Sequence, residues 1–116
     1  MKDIKQFILE ATSKDLQKSK DIEKAIEDLA EGVLDYLNQE GVVAWDEQKM
    51  IKYVNGDEEP DFKDLVDCMI NELEEFGDKG KVKLLPILKK YNTEEWKESI
   101  EVACLRAMDN YTKNIR

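Results

Sequence analysis

Two cysteines, 27 carboxylates and no histidine set the chemistry open to this 116-residue chain. Without histidine there is no conventional nucleophile–base–acid triad, no imidazole general base near neutral pH and no imidazole ligand for a catalytic zinc. Cys68 and Cys104 stand alone in sequence, which gives no zinc ribbon, no C-x-x-C redox pair and no disulfide framework. Both are expected as free thiols. Cys104 falls on an apolar helical stripe, the usual place of a buried, inert thiol. Cys68 is rotated by about 200° from Val66 on a helical wheel. That places it on an outer face with Asp64, Asn71, Glu72 and Glu75, where neighbouring carboxylates oppose a thiolate.

The acids offer two further chemistries, and the spacing supports neither. The stretch Gly56–Asp67 (GDEEPDFKDLVD) has acids at positions 1, 3 and 5 of a calcium loop begun at Asp57. Position 6 is then Phe62 rather than Gly, and position 12 is Cys68 rather than Glu, so the pattern fails at both. Acids here suit the positive end of a helix that follows. Carboxylate pairs at helical spacing, such as Glu27–Glu31 and Glu94–Glu98, occupy outer faces, whereas acid catalysis requires burial in a pocket. A di-metal bundle needs Glu-x-x-His. No G-x-x-x-x-G-K, G-x-G-x-x-G or G-x-S-x-G occurs. The expectation is no catalytic residue, no cofactor, no metal and no enzyme.

The elements that position these residues are helical. Trp96, Ile100, Ala103, Cys104, Ala107, Met108, Tyr111 and Ile115 recur at three- and four-residue steps over residues 93–115, with Asn92 or Thr93 as cap. The small middle of this stripe suits a close helix crossing, which makes it the central helix. A second helix is expected over 20–40, capped by Ser19 and stopped at Gly41, with Ile22, Ile26, Leu29, Ala30, Val33 and Leu37 inward. Lys20, Glu23, Lys24 and Glu27 then face out, and Gly32 reads as a close-packing position. A third spans 60–76, with Pro60 in its first turn, Phe62, Val66, Met69, Ile70, Leu73 and Phe76 inward, and Gly77 and Gly80 at its end. A short helix over 2–11 carries Ile4, Phe7, Ile8 and Ala11 on one side. Residues 12–20 read as a loop with Leu16 as its one apolar contact. Residues 42–54 read as a short helix capped by Asp46 or, alternatively, a small hairpin. Asn55-Gly56 marks a turn. Pro86 breaks or kinks any helix in the apolar, basic stretch 81–91. The sum is an all-α, single-domain bundle of five to six helices over residues 1–116, long enough for one ordinary core.

Charge narrows the partner. Charged residues make up 39% of the chain, against about 25% in an average globular domain. The net charge is −9, and residues 55–78 alone hold ten acids and one base. Five lysines and no acid follow in 79–92. An overall negative field repels nucleic acid, and no basic recognition helix is present, which argues against direct DNA binding. No apolar run approaches a membrane span, and the first residues do not form a signal peptide, so a cytoplasmic location is expected. Lysine-rich, arginine-poor usage suits an A+T-rich bacterial or phage genome.

These features favour a small acidic, non-enzymatic interaction module, an inhibitor or regulator of a partner protein. Its contact surface is expected to combine Asp57, Glu58, Glu59, Asp64, Glu72 and Glu75, toward a basic partner, with the apolar anchors Trp45, Leu84, Leu88 and Tyr91. Two alternatives stand beside this. The acidic helix could simply pair with Lys79–Lys90, or the chain could be a self-assembling structural or virion accessory protein that forms homo-oligomers.

Overall fold

The computed structural model describes the backbone of residues 4–77 and 81–113 and the side chains of residues 20–77 and 83–113. The chain is all-α: α1 (Ile4–Gln39), α2 (Glu47–Asn55), α3 (Phe62–Phe76), α4 (Leu85–Lys89) and α5 (Glu94–Thr112). Short 3-10 turns at Val43–Trp45 and Lys81–Leu84 precede α2 and α4. No strand occurs among the described residues, so residues 42–54 form a 3-10 turn and a helix rather than a hairpin.

The main correction to the expected outline is at the start. Residues 12–20 continue α1 without interruption, and Ser19 lies inside the helix rather than capping it. Polarity suggested a loop there, but the stretch holds neither Gly nor Pro. Lysine, glutamine and leucine propagate a helix well once it is nucleated. The expected apolar side of Ile4, Phe7, Ile8 and Ala11, the Leu16 contact, Lys79, the stop at Gly80 and Ile115 all lie outside the described residues or side chains.

Elsewhere the ends follow local chemistry. Gly41, at φ +75°, ends α1 in the left-handed region that a side chain disfavours. The Asp46 side chain accepts from the Lys49 amide at 2.8 Å and starts α2. Asp61 caps α3, accepting from the Asp64 amide at 3.2 Å, so Pro60 lies before the helix rather than in its first turn. At the far end of α3, a methyl added to Gly77 would run into the Leu73 carbonyl oxygen. Pro86 sits in the first turn of α4, where its missing N–H costs nothing. Thr93 stands at the start of α5, but its hydroxyl donates back to the Lys90 carbonyl at 2.7 Å instead of capping.

The core lies where α1 and α5 cross. Ile100, Ala103, Cys104, Ala107 and Met108 are fully buried, as are Ile26, Ala30 and Leu34 of α1. Trp96 and Tyr111 flank this stripe half-buried. Arg106 pairs with Glu23 and Asn110 with Glu27, so α1 and α5 run in the same direction. Glu27 was expected to face out. It is buried and accepts from Asn110 Nδ2 at 2.6 Å, which satisfies a carboxylate that would be costly to bury unpaired. Leu34 and Leu65, both at 0% exposure, widen the core beyond the expected stripes.

Ala107 tests the crossing. It is fully buried on α5, the helix that makes the most extensive contact with α1. Ala107→Leu is expected to destabilise by about 1–3 kcal/mol, because a close-packed crossing has no room for three further carbons. The denaturation midpoint measures this, and an unchanged midpoint would mean that α1 and α5 are not in close contact there.

Gly32 behaves differently from its expected role. It is exposed, and a Cβ added to it meets nothing within 4 Å. Close packing does not explain it. Gly32→Ala is expected to stabilise α1 by up to about 1 kcal/mol, the helix propensity difference, read as a rise in midpoint.

Candidate functional site

Trp45, Leu84, Leu88 and Tyr91, the expected apolar anchors of a contact surface, do not meet at the surface. They are 1%, 6%, 0% and 9% exposed, and belong to the core. Trp45 is held in place by two neighbours, one of them itself tethered. Its Nε1–H donates to Asp64 Oδ2 at 3.0 Å, its ring meets Tyr53 edge-on at 5.6 Å, and the Tyr53 hydroxyl donates to the Ala44 carbonyl at 2.8 Å. Tyr91 packs under α5, with its hydroxyl donating to Glu101. Burial, and then the Glu101 carboxylate, push its phenol well above the ordinary range.

The acids separate into three groups. Asp57, Glu58 and Glu59 lie exposed in the α2–α3 connection, and Glu58 pairs with Lys49 at 2.9 Å. Asp64 serves the fold through Trp45. Glu72 and Glu75 are set apart: they pair with no lysine or arginine among the described residues. The adjacent Glu74 takes Lys89 of α4 at 3.3 Å, which among the described residues is the only pairing between the acidic helix and the lysines that follow it. Among the described residues, pairing of adjacent charge runs therefore accounts for Glu74 but not for Glu72 or Glu75.

Glu72 and Glu75 border an open groove between α1 and α3. Its walls are Val33, Tyr36 and Leu37 on one side and Cys68, Asn71, Glu72, Glu75 and Phe76 on the other, around a volume of about 520 Å³. A smaller hollow of about 160 Å³ continues it past Gly32 and Asp28 toward Gly77, sharing Val33, Glu72 and Phe76. Residues 33–37 face 68–76, and residues 28–33 face 72–77, so the two helices run antiparallel along the groove. Val33, Tyr36, Leu37 and Phe76 give it an apolar surface beside the acids. Phe76, expected inward, is 74% exposed, and Tyr36 is 57% exposed. Of the four large hydrophobic residues that stand exposed among those described, these two share one groove. The apolar periodicity of α3 continues to its last residue, but the covering helices do not.

Two groups in this region limit its chemistry. Cys68 is half-buried at the groove wall, and burial, followed by the charges of Asp64 and Asp67, pushes its thiol up. A thiol so placed is a weak nucleophile at neutral pH. Burial pushes the Cys104 thiol up to about 12. In the native protein, Cys68 is expected to react slowly with a maleimide and Cys104 to stay protected until unfolding, as followed by intact mass. Equal, immediate labelling of both would contradict this arrangement. No cluster of three His, Cys, Asp or Glu side chains that could hold a metal ion occurs among the described residues. None of the described helices is long and apolar enough to cross a membrane.

The signal for the groove was divided between two helices. Glu72, Glu75 and Cys68 were legible on the outer face of α3. Tyr36 sits seven residues after Leu29, within about 20° of it on the wheel. It extends the α1 stripe on the side that faces α3, which is the one cue the sequence carried. Comparison with protein-family models, with curated proteins and with solved structures gives no match for this chain.

Proposed function

We propose that this chain is a small, acidic, non-enzymatic interaction module that binds a protein partner through the groove between α1 and α3. The observation that carries the reading is the exposure of Phe76 and Tyr36 over a preformed apolar hollow. Large aromatic side chains left in water beside a concave surface are the usual anchors of a protein contact. The weakly activated thiol at the groove wall supports recognition rather than catalysis. An inhibitor or regulator works in this way, by occupying a surface of another protein.

Self-association through the same groove is the competing reading. A two-fold contact would set Glu72 and Glu75 of one copy against those of the other, and like charges at an interface oppose it.

Cys68 provides the test. A photoreactive maleimide attached there, in the full chain, reports what enters the groove. The expected result is cross-linking to a heterologous protein that excess unlabelled wild type suppresses and a Tyr36→Ala/Phe76→Ala variant does not. Cross-links suppressed equally by both would place the contact elsewhere. Cross-linking of the chain only to itself would establish the self-assembly reading instead.

A further inference from the structure

We infer that the segment of the partner that fills the α1–α3 groove is a basic amphipathic helix; this deepens the interaction reading above and rests on it. Three observations select this occupant from others that an apolar groove could take.

The first is charge. The charged residues that line the groove and its continuation are Asp28, Glu72 and Glu75, with no lysine or arginine among them. Asp28 already pairs with Lys24 at 3.1 Å, on the exposed surface of α1. Glu72 and Glu75 have no such partner among the described residues, although Lys89 is close enough to α3 to hold Glu74. The rim is therefore negative on the α3 side and carries no neutralising cation among the described residues. A basic segment gains from that field on approach and in the complex, and an acidic one, including a second copy of this face, is repelled.

The second is length. From Asp28 to Leu37 the α1 wall runs about 13 Å, and from Cys68 to Gly77 the α3 wall runs about as far. A helix that places apolar side chains at i, i+4 and i+7 spans about 10 Å between its first and last anchor, which this groove accommodates. The 520 Å³ hollow takes the bulkier anchors, and the 160 Å³ continuation takes a smaller one.

The third is the floor. Gly32 presents no side chain to the smaller hollow, and the space above it is open to at least 4 Å. A helix can settle closer to α1 at that point than over any residue with a side chain. This gives Gly32 a role that internal packing does not. Gly32→Ala is therefore expected to stabilise the free chain while weakening the complex.

Three synthetic peptides test the occupant directly. One carries leucine at i, i+4 and i+7 with lysine elsewhere; a second has the same composition scrambled, so that no apolar face forms. An acidic counterpart with glutamate for lysine is the third probe. With isotopically labelled full chain, the patterned basic peptide is expected to shift the amide resonances of Tyr36, Cys68, Glu72 and Phe76. Its affinity should fall about tenfold or more in Glu72→Lys/Glu75→Lys and in Phe76→Ala, and should weaken with added salt. Equal binding of the scrambled peptide, equal binding of the acidic peptide, or shifts confined to other faces would each overturn the inference. If photo-cross-linking at Cys68 still captures a partner while the basic peptide fails, the groove binds another kind of segment and the interaction reading survives. If both fail, the interaction reading fails with it.

Discussion

Trp45→Ala is expected to cost about 3–5 kcal/mol, the largest loss of any single substitution outside the α1–α5 crossing. The indole is 1% exposed and fills the space between the 3-10 turn at Val43–Trp45 and the start of α3. Removing it leaves a cavity that a one-turn element cannot collapse to fill, and it takes away the edge contact with Tyr53. Changes at Asp64 separate the polar part of the role from the packing. Asp64→Asn keeps an acceptor for Nε1–H and should be nearly neutral. Asp64→Lys leaves that buried N–H unsatisfied and should cost about 1–3 kcal/mol. Chemical denaturation of the three variants measures this series. A Trp45→Ala midpoint equal to wild type would mean that the indole is not core, and would restore the expectation that it is a surface anchor. The same logic divides the acids of α3. Reversal of Glu72 and Glu75 should leave stability nearly unchanged, whereas including Asp64 in a triple reversal confounds binding with folding.

Leu88→Ala is the second large effect, expected at about 2–5 kcal/mol. Leu88 is fully buried on α4, a five-residue helix that bridges α3 and α5. So short a helix holds its shape through tertiary packing rather than propensity. Loss of its one fully buried side chain should release α4 and the 3-10 turn before it. Hydrogen exchange is expected to accelerate first at the Lys90 and Tyr91 amides, which close the end of α4 onto the Ile87 and Leu88 carbonyls. If instead Leu88→Ala keeps the wild-type midpoint and loses affinity for a partner, the residue belongs to an interface and not to the core.

These two residues also mark where the sequence stopped being informative. The stripes of α3 and α5 were legible because one period of 3.6 residues runs through each of them, and a single face meets the core. Caps at Asp46 and stops at Gly41 were legible because they depend on neighbours a few residues away. Trp45 lies in a 3-10 turn between two helices, where no periodicity assigns a side chain to either face. Its partner Asp64 is 19 residues away, and the partner of Glu27 is 83 residues away. Pairings at that range are consequences of the fold and leave no local mark. Phe76 fails in the opposite sense: the period that marks it as core is intact, but it stands 74% exposed, with none of the described helices over it. Half of the groove was visible as an acidic outer face, and the other half required knowing that α1 and α3 lie side by side.

The unbroken α1 has a hydrodynamic consequence. Thirty-six residues of helix extend about 54 Å, close to the 59 Å long axis of a molecule only 32 Å and 25 Å in its other dimensions. The radius of gyration, 16.1 Å, exceeds the roughly 13.4 Å of a spherical domain of this length. Such a body tumbles as a rod, slowly end over end and quickly about its own axis. The N–H vectors of α1 lie nearly along that axis, so only the slow rotation reorients them. Their nuclear spins should relax as if they belonged to a larger protein than those of the α2–α3 connection in the same molecule.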